Sequence, residues 1–228
     1  MSIEYDFNKK GYLFLSSVFS TDVINNFNEY LKNFMINNHI YTHIKKRHDV
    51  QEETFYVNNT YTSVDSYKKI QYYYLPVIDN RGSKNRVNEI GMIDIYNVHK
   101  LLPDIYNYFD VNLLETILNK ITDKRWKFLR NNVQICMNVN NPCSFHFDNI
   151  DKCIKVTIYL SDIPSNEYGP PVYVEESHIN KSNIKNEQIK TFLGNKGDVL
   201  ISFQNGFHRK LPQNNTTVGF VVFNFIEL

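Results

Sequence analysis

Two side chains lying two positions apart, His146 and Asp148, and a third far along the chain, His208, are the residues best suited to hold a divalent metal. On an extended strand, residues two apart face the same side, so His146 and Asp148 present an imidazole and a carboxylate together while Phe147 turns away. A histidine arriving from a distant strand completes one triangular face of an octahedral ion. Two neutral nitrogens and a carboxylate suit ferrous iron, Fe(2+), and leave the opposite face open for co-substrate and oxygen. An HxD pair alone is a common coincidence, so its surroundings decide. Gly197-Asp198-Val199-Leu200 precedes His208 by a strand and a turn, with the glycine supplying the backbone freedom to enter that strand. Between the two ligand regions lie Tyr159-Leu160-Ser161-Asp162, Gly169-Pro170 and Ser177-His178.

Such ligands need a β framework, and the second half of the chain supplies one. Runs of β-type residues follow one another at Asn132–Asn138, Ser144–Asp148, Cys153–Leu160, Pro171–Glu175, Ile189–Phe192, Asp198–Phe203 and Val218–Ile226. Turn clusters separate them, among them Asn140-Asn141-Pro142, Gly194-Asn195-Lys196-Gly197 and Pro212-Gln213-Asn214-Asn215. Many short strands at this spacing predict a mainly β fold of the double-stranded β-helix type, a cupin-like jelly roll. The first half reads differently. Gly11–Leu15 is a short strand, and Ser20-Thr21-Asp22 starts a helix whose apolar residues Val23, Ile24, Phe27, Tyr30, Leu31 and Phe34 recur at helical spacing. A second helix is expected from about Pro103 to Ile121, burying Ile105, Leu113, Leu114, Ile117, Leu118 and Ile121. The stretch from His48 to Asn88 is Tyr-rich and reads as irregular. The expectation is one domain over residues 1–228: a helical buttress and lid segment over 1–126 and the jelly-roll core over 127–228.

Composition bounds the function. With 42% hydrophobic and 14% aromatic residues, 228 residues bury a sizeable core. The net charge is +1, and Lys and Arg are scattered among Asp and Glu, so no nucleic-acid partner is expected. Met1–Lys10 is polar and unlike a secretory signal, and no apolar run reaches the roughly 18 residues needed to span a bilayer, so no membrane partner is expected. Three cysteines, Cys136, Cys143 and Cys153, are odd in number and lack CxxC spacing, which favours a reducing, cytoplasmic setting. The histidines at 39, 43 and 48 read as a solvated patch rather than a second metal site, and His99 and His178 as structural. Tyr72–Tyr74 reads as ordinary packing, and Cys143 and Cys153 as small buried residues.

Taken in order, the pieces His146-Phe147-Asp148, Leu160-Ser161-Asp162, Gly169-Pro170, Ser177-His178, Gly197-Asp198 and His208 resemble the phytanoyl-CoA dioxygenase-like iron(II)/2-oxoglutarate oxygenases. The start, Phe7 then Gly11-Tyr12-Leu13 then a helix, looks similar too. The resemblance implies an oxidoreductase in which His146, Asp148 and His208 ligate the iron. It implies a small-molecule substrate, molecular oxygen, and 2-oxoglutarate decarboxylated to succinate as the substrate is hydroxylated. Asp148 stands where halogenating relatives carry a small residue, which favours hydroxylation. One departure stands out. Relatives place an arginine about ten residues beyond the distal histidine, whose planar fork grips the far carboxylate of 2-oxoglutarate. Here that place falls within Val218-Gly219-Phe220-Val221. Replacement cations are Lys155 and Arg130, with Arg209 behind them because it adjoins a ligand and should point away from the metal. The alternatives are an iron oxygenase that does not use 2-oxoglutarate, and a non-catalytic jelly-roll binding protein.

Overall fold

In the computed structural model of the chain, the described residues are 3–37, 54–57, 60–63, 77–80, 91–148, 152–182 and 185–228. The first half contains α1 (Ile3–Lys10), β1 (Tyr12–Leu15), α2 (Thr21–Asn37), β2 (Thr54–Val57), β3 (Thr60–Ser63), β4 (Val77–Asn80), β5 (Met92–Tyr96), α3 (Ile105–Tyr108) and α4 (Val111–Thr122). The second half contains β6 (Trp126–Met137), β7 (Cys153–Tyr159), β8 (Pro171–Val174), β9 (Ile189–Thr191), β10 (Val199–Phe203), β11 (His208–Lys210) and β12 (Thr217–Glu227).

Antiparallel pairing joins nine strands in the order β1-β10-β7-β12-β6-β5-β4-β2-β3, and β11-β8-β9 form a second, smaller sheet. The central strands bury both faces, which is why they read as near-continuous apolar runs. Outward, Ile154, Val156 and Ile158 of β7 and Val221, Phe223 and Phe225 of β12 join one core with Phe7 of α1, Phe27 and Leu31 of α2, and Leu114 and Leu118 of α4. Inward, Tyr159, Val218, Phe220 and Val222 join Tyr173 of the small sheet in a second core. The result is a jelly roll with helices on its outer face.

The inner face is not uniformly apolar. In register across β10, β7, β12 and β6 lie Ser202, Lys155, Asn224 and Arg130. Gln204 hydrogen-bonds Asn224, and Asn132 donates to Asp94 at 3.3 Å. Buried polar side chains in such a row must be paired or face a polar cavity.

Several expectations need correcting. The single helix from Pro103 is two, because Phe109 is extended and fully buried against Phe19, Phe27 and Phe223. Asp110 then caps a new start by accepting from the backbone N–H groups of Asn112 and Leu113. Leu113 lies on the exposed side of α4, whose buried positions are Leu114, Leu118 and Ile121. Met1–Lys10, read as polar and running straight into a strand, contains α1, held by Phe7. The Tyr-rich stretch, read as irregular, contributes β2, β3 and β4 to the large sheet, and β5 is wholly buried. Tyr72–Tyr74, read as ordinary packing, and the histidines at 39, 43 and 48 lie outside the described residues. No helix among the described residues is long and apolar enough to cross a membrane.

Candidate metal centre

His146 and His208 face each other as an isolated antiparallel bridge, exchanging backbone hydrogen bonds of 3.1 and 2.8 Å. Residues directly opposite in such a pair project to the same side. Their rings accordingly approach to 4.6 Å between centroids. Asp148, two residues on, turns its carboxylate to the same side, and the three donor atoms lie within 4.8 Å of one another. The expected strand Ser144–Asp148 is reduced to this single bridge. The cause lies opposite: a turn closed by Gly206 N–H to Phe203 C=O breaks the ladder, and Asp148 N–H reaches past it to Gln204 C=O at 3.0 Å. Gly206 admits the turn because a Cβ there would run into the Tyr173 hydroxyl.

Second partners aim the imidazoles. His146 Nδ1 lies 3.0 Å from the Ser144 carbonyl oxygen and His208 Nδ1 lies 2.9 Å from that of Gly206. A carbonyl only accepts, so each Nδ1 carries the proton and each Nε2 keeps its lone pair for a cation. The backbone at 207 is anchored as well, since Phe207 N–H donates to the buried Ser177 hydroxyl at 2.8 Å.

A cation already lies against this donor set. Lys155 Nζ is 3.0 Å from Asp148 Oδ2 and 3.5 Å from His208 Nε2. Burial raises the Asp148 carboxyl, but Lys155 and the two imidazoles outweigh it and hold the group well below the usual carboxylate range. Burial, followed by the nearby Lys155 charge, pushes His208 down to about 3. Both groups therefore stand at neutral pH in the states a metal requires, carboxylate and neutral imidazole. The protein's own ammonium acts as a stand-in ion for the divalent cation that this donor set fits.

The structure thus brings His146, Asp148, His208 and Lys155 together. Lys155 faces the ligands although its parity differs from theirs, because it stands on a separate strand, β7, to which the parity of His146 and Asp148 does not carry over. Arg130 occupies the same inner row as Lys155, across Asn224. Arg209 turns away, as its position beside a ligand implies, with its guanidinium 4.5 Å from the centre of the Phe145 ring. Cys143 is only half-buried, with its sulfur 3.3 Å from His146 Nδ1. Sequence reasoning missed Lys210 on β11. It shares the parity of His208 and sends its ammonium to Gln134 Oε1 at 3.0 Å and Cys136 Sγ at 3.1 Å. That shared parity was the available signal.

The remaining motif pieces anchor turns. Gly197 adopts φ +86°, and a Cβ there would strike the Phe19 carbonyl. Asp198 beside it, 2% exposed, accepts from the backbone N–H groups of Ser17 at 2.8 Å and Asn195 at 2.7 Å. His178 stacks on Phe203 at 4.8 Å and bonds the Asn8 carbonyl through Nε2 at 2.9 Å. His99 pairs with Asn131 at 2.7 Å.

Among solved structures, the chain is similar to HygX from Streptomyces hygroscopicus with nickel, 2-oxoglutarate and hygromycin B bound, at 14% identity and a TM-score of 0.61, covering 97% of this chain and 85% of that one. It is also similar to SnoN, a non-haem alpha-ketoglutarate-dependent epimerase from nogalamycin biosynthesis, at 10% identity and a TM-score of 0.67, covering 98% and 81%. EvdO2 from Micromonospora carbonacea var. aurantiaca matches at 12% identity and a TM-score of 0.67, covering 98% and 89%. No family model and no curated protein sequence matches the chain. At these identities the likeness establishes the fold.

Proposed function

We propose that this chain is a non-haem Fe(II)/2-oxoglutarate-dependent oxygenase acting on a small molecule, with His146, Asp148 and His208 as the metal ligands. The observation that carries the reading is the convergence of these three donor atoms within 4.8 Å at the inner wall of the jelly roll, against the Lys155 ammonium. When bound, ferrous iron supplies the redox chemistry that couples decarboxylation of the 2-oxo acid by oxygen to attack on a substrate C–H bond. The chain's own residues bind and orient. The Ser144 and Gly206 carbonyls fix which nitrogen each imidazole presents, and Ser177 holds the backbone at Phe207. The inner face of the jelly roll also carries an apolar cluster that includes Tyr173, Phe220 and Val222.

Hydroxylation is the reaction favoured, because Asp148 keeps the carboxylate ligand. Similar structures include an epimerase and a carbocyclase, so epimerisation and ring closure are the competing outcomes. The narrower phytanoyl-CoA dioxygenase-like placement rests on the ordered motifs, and a reducing, cytoplasmic setting suits three cysteines of which none forms a disulfide. The test is succinate formation from 2-oxoglutarate by the iron-loaded protein, stimulated by small-molecule candidates such as glycosides and polyketides. Succinate that depends on iron supports the reading. Its absence at every iron and 2-oxoglutarate concentration, with metal bound, refutes it.

A further inference from the structure

Inside the jelly roll, Lys210 projects a charge that no acid among the described residues meets. Its ammonium donates to a carboxamide oxygen, Gln134 Oε1, at 3.0 Å, contacts the thiol sulfur of Cys136 at 3.1 Å, and lies 4.6 Å from the centre of the Phe220 ring. No carboxylate among the described residues pairs with it, unlike Lys155, which meets Asp148 at 3.0 Å. An ammonium has three N–H donors, and these contacts engage two of them. A half-buried cation held by uncharged groups invites an anion.

Its position says which anion. Lys210 lies two residues beyond His208 on β11, so both side chains leave the strand on the same side, about 6.7 Å apart along it. A 2-oxo acid chelating through its keto and adjacent carboxylate oxygens carries its second carboxylate on two methylene groups, a comparable reach. Cys136 and Gln134, which Lys210 touches, are paired in register with Val218 and Phe220 of β12. This is the stretch where an arginine was expected, so the charge arrives from the facing sheet instead. The other cations are placed otherwise. Lys155 lies against the metal donors themselves, Arg130 shares its row at the Asn224 end of β12, and Arg209 rests on Phe145.

We propose that Lys210 is the positioning residue that grips the far carboxylate of the co-substrate and so makes the site select a 2-oxo diacid over a 2-oxo monoacid. This rests on the oxygenase reading above. The test is calorimetric titration of the Mn(II)-loaded full chain with 2-oxoglutarate and with 2-oxobutanoate, which has the same chelating head and no far carboxylate. The wild type is expected to prefer 2-oxoglutarate by about 10–100-fold, the range of one charge-assisted contact. Lys210→Met should bind the two acids equally while its Mn(II) affinity stays within a few-fold of wild type, and Lys210→Arg should restore the preference. Equal affinity for both acids in the wild type overturns the inference and leaves the oxygenase reading standing. So does a preference that survives Lys210→Met, or one that vanishes only in Lys155→Met. Should Lys210→Met lose Mn(II) binding, Lys210→Arg and the wild-type comparison decide: an arginine variant without the preference overturns the proposal. Failure of the metal-loaded wild type to bind either acid overturns both readings.

Discussion

At the scale of single residues, Lys155 and His208 govern how a metal would enter the proposed centre. Lys155 holds Asp148 and lies near His208 Nε2, so a divalent ion must displace its ammonium. Lys155→Met should therefore bind Mn(II) more tightly, on the order of tenfold, the scale of one charge-assisted hydrogen bond. Calorimetry checks this, and weaker binding in the variant would mean that the lysine supports the metal. The same residues set a pH dependence. His208 sits at about 3 when folded against the ordinary 6.5 of a histidine, so between these limits the unfolded chain binds more protons. Stability of the metal-free protein accordingly falls as pH drops below about 6.5. Asp148, held below its usual range, acts in the same sense: the stability it lends is present above about 3.9 and is lost as pH falls further. His99 and His178 are also lowered by burial and add to the slope. Thermal unfolding at about pH 7.5 and about pH 5 should show a smaller difference in His208→Gln than in wild type.

At the scale of elements, the bridge between residues 146 and 208 is short, and its neighbours hold it. Ser177, in the turn that follows β8, accepts from Phe207 N–H and donates to the Val174 carbonyl at 2.6 Å. Ser177→Ala leaves a backbone donor next to a ligand without its partner, which should cost about 1–3 kcal/mol in urea unfolding. It should also weaken Mn(II) binding, because β11 loses its anchor. The central strands were legible in the sequence because burial on both faces leaves long apolar runs, as in Val199–Phe203 and Thr217–Glu227. The break between α3 and α4 was not, since Phe109 fits a helical pattern and only its packing partners make it extended. Nor was the inward aim of Lys155, because parity counted at His146 and Asp148 does not carry over to a separate strand, β7. Lys210 was readable from its spacing to His208, and its meaning emerged only with Gln134 and Cys136 beside it.

At the scale of the whole molecule, two sheets enclose an interior that is apolar around Phe220 and Val222 and polar along the row from Ser202 to Arg130. The proposed metal donors lie where β11 meets the segment at His146, so the site depends on both sheets keeping their register. Jelly rolls of the same form carry different reactions, as the epimerase and carbocyclase among the similar structures illustrate. The central claim is therefore about the centre rather than the fold: one divalent ion on three side chains, with open positions opposite. The most direct test is an anaerobic titration of Fe(II) and 2-oxoglutarate followed by visible absorption. A metal-to-ligand charge-transfer band that requires both components, and that is lost in His208→Ala, is the predicted result. A wild-type protein that binds iron without developing the band, or a band undiminished in His208→Ala, would contradict it.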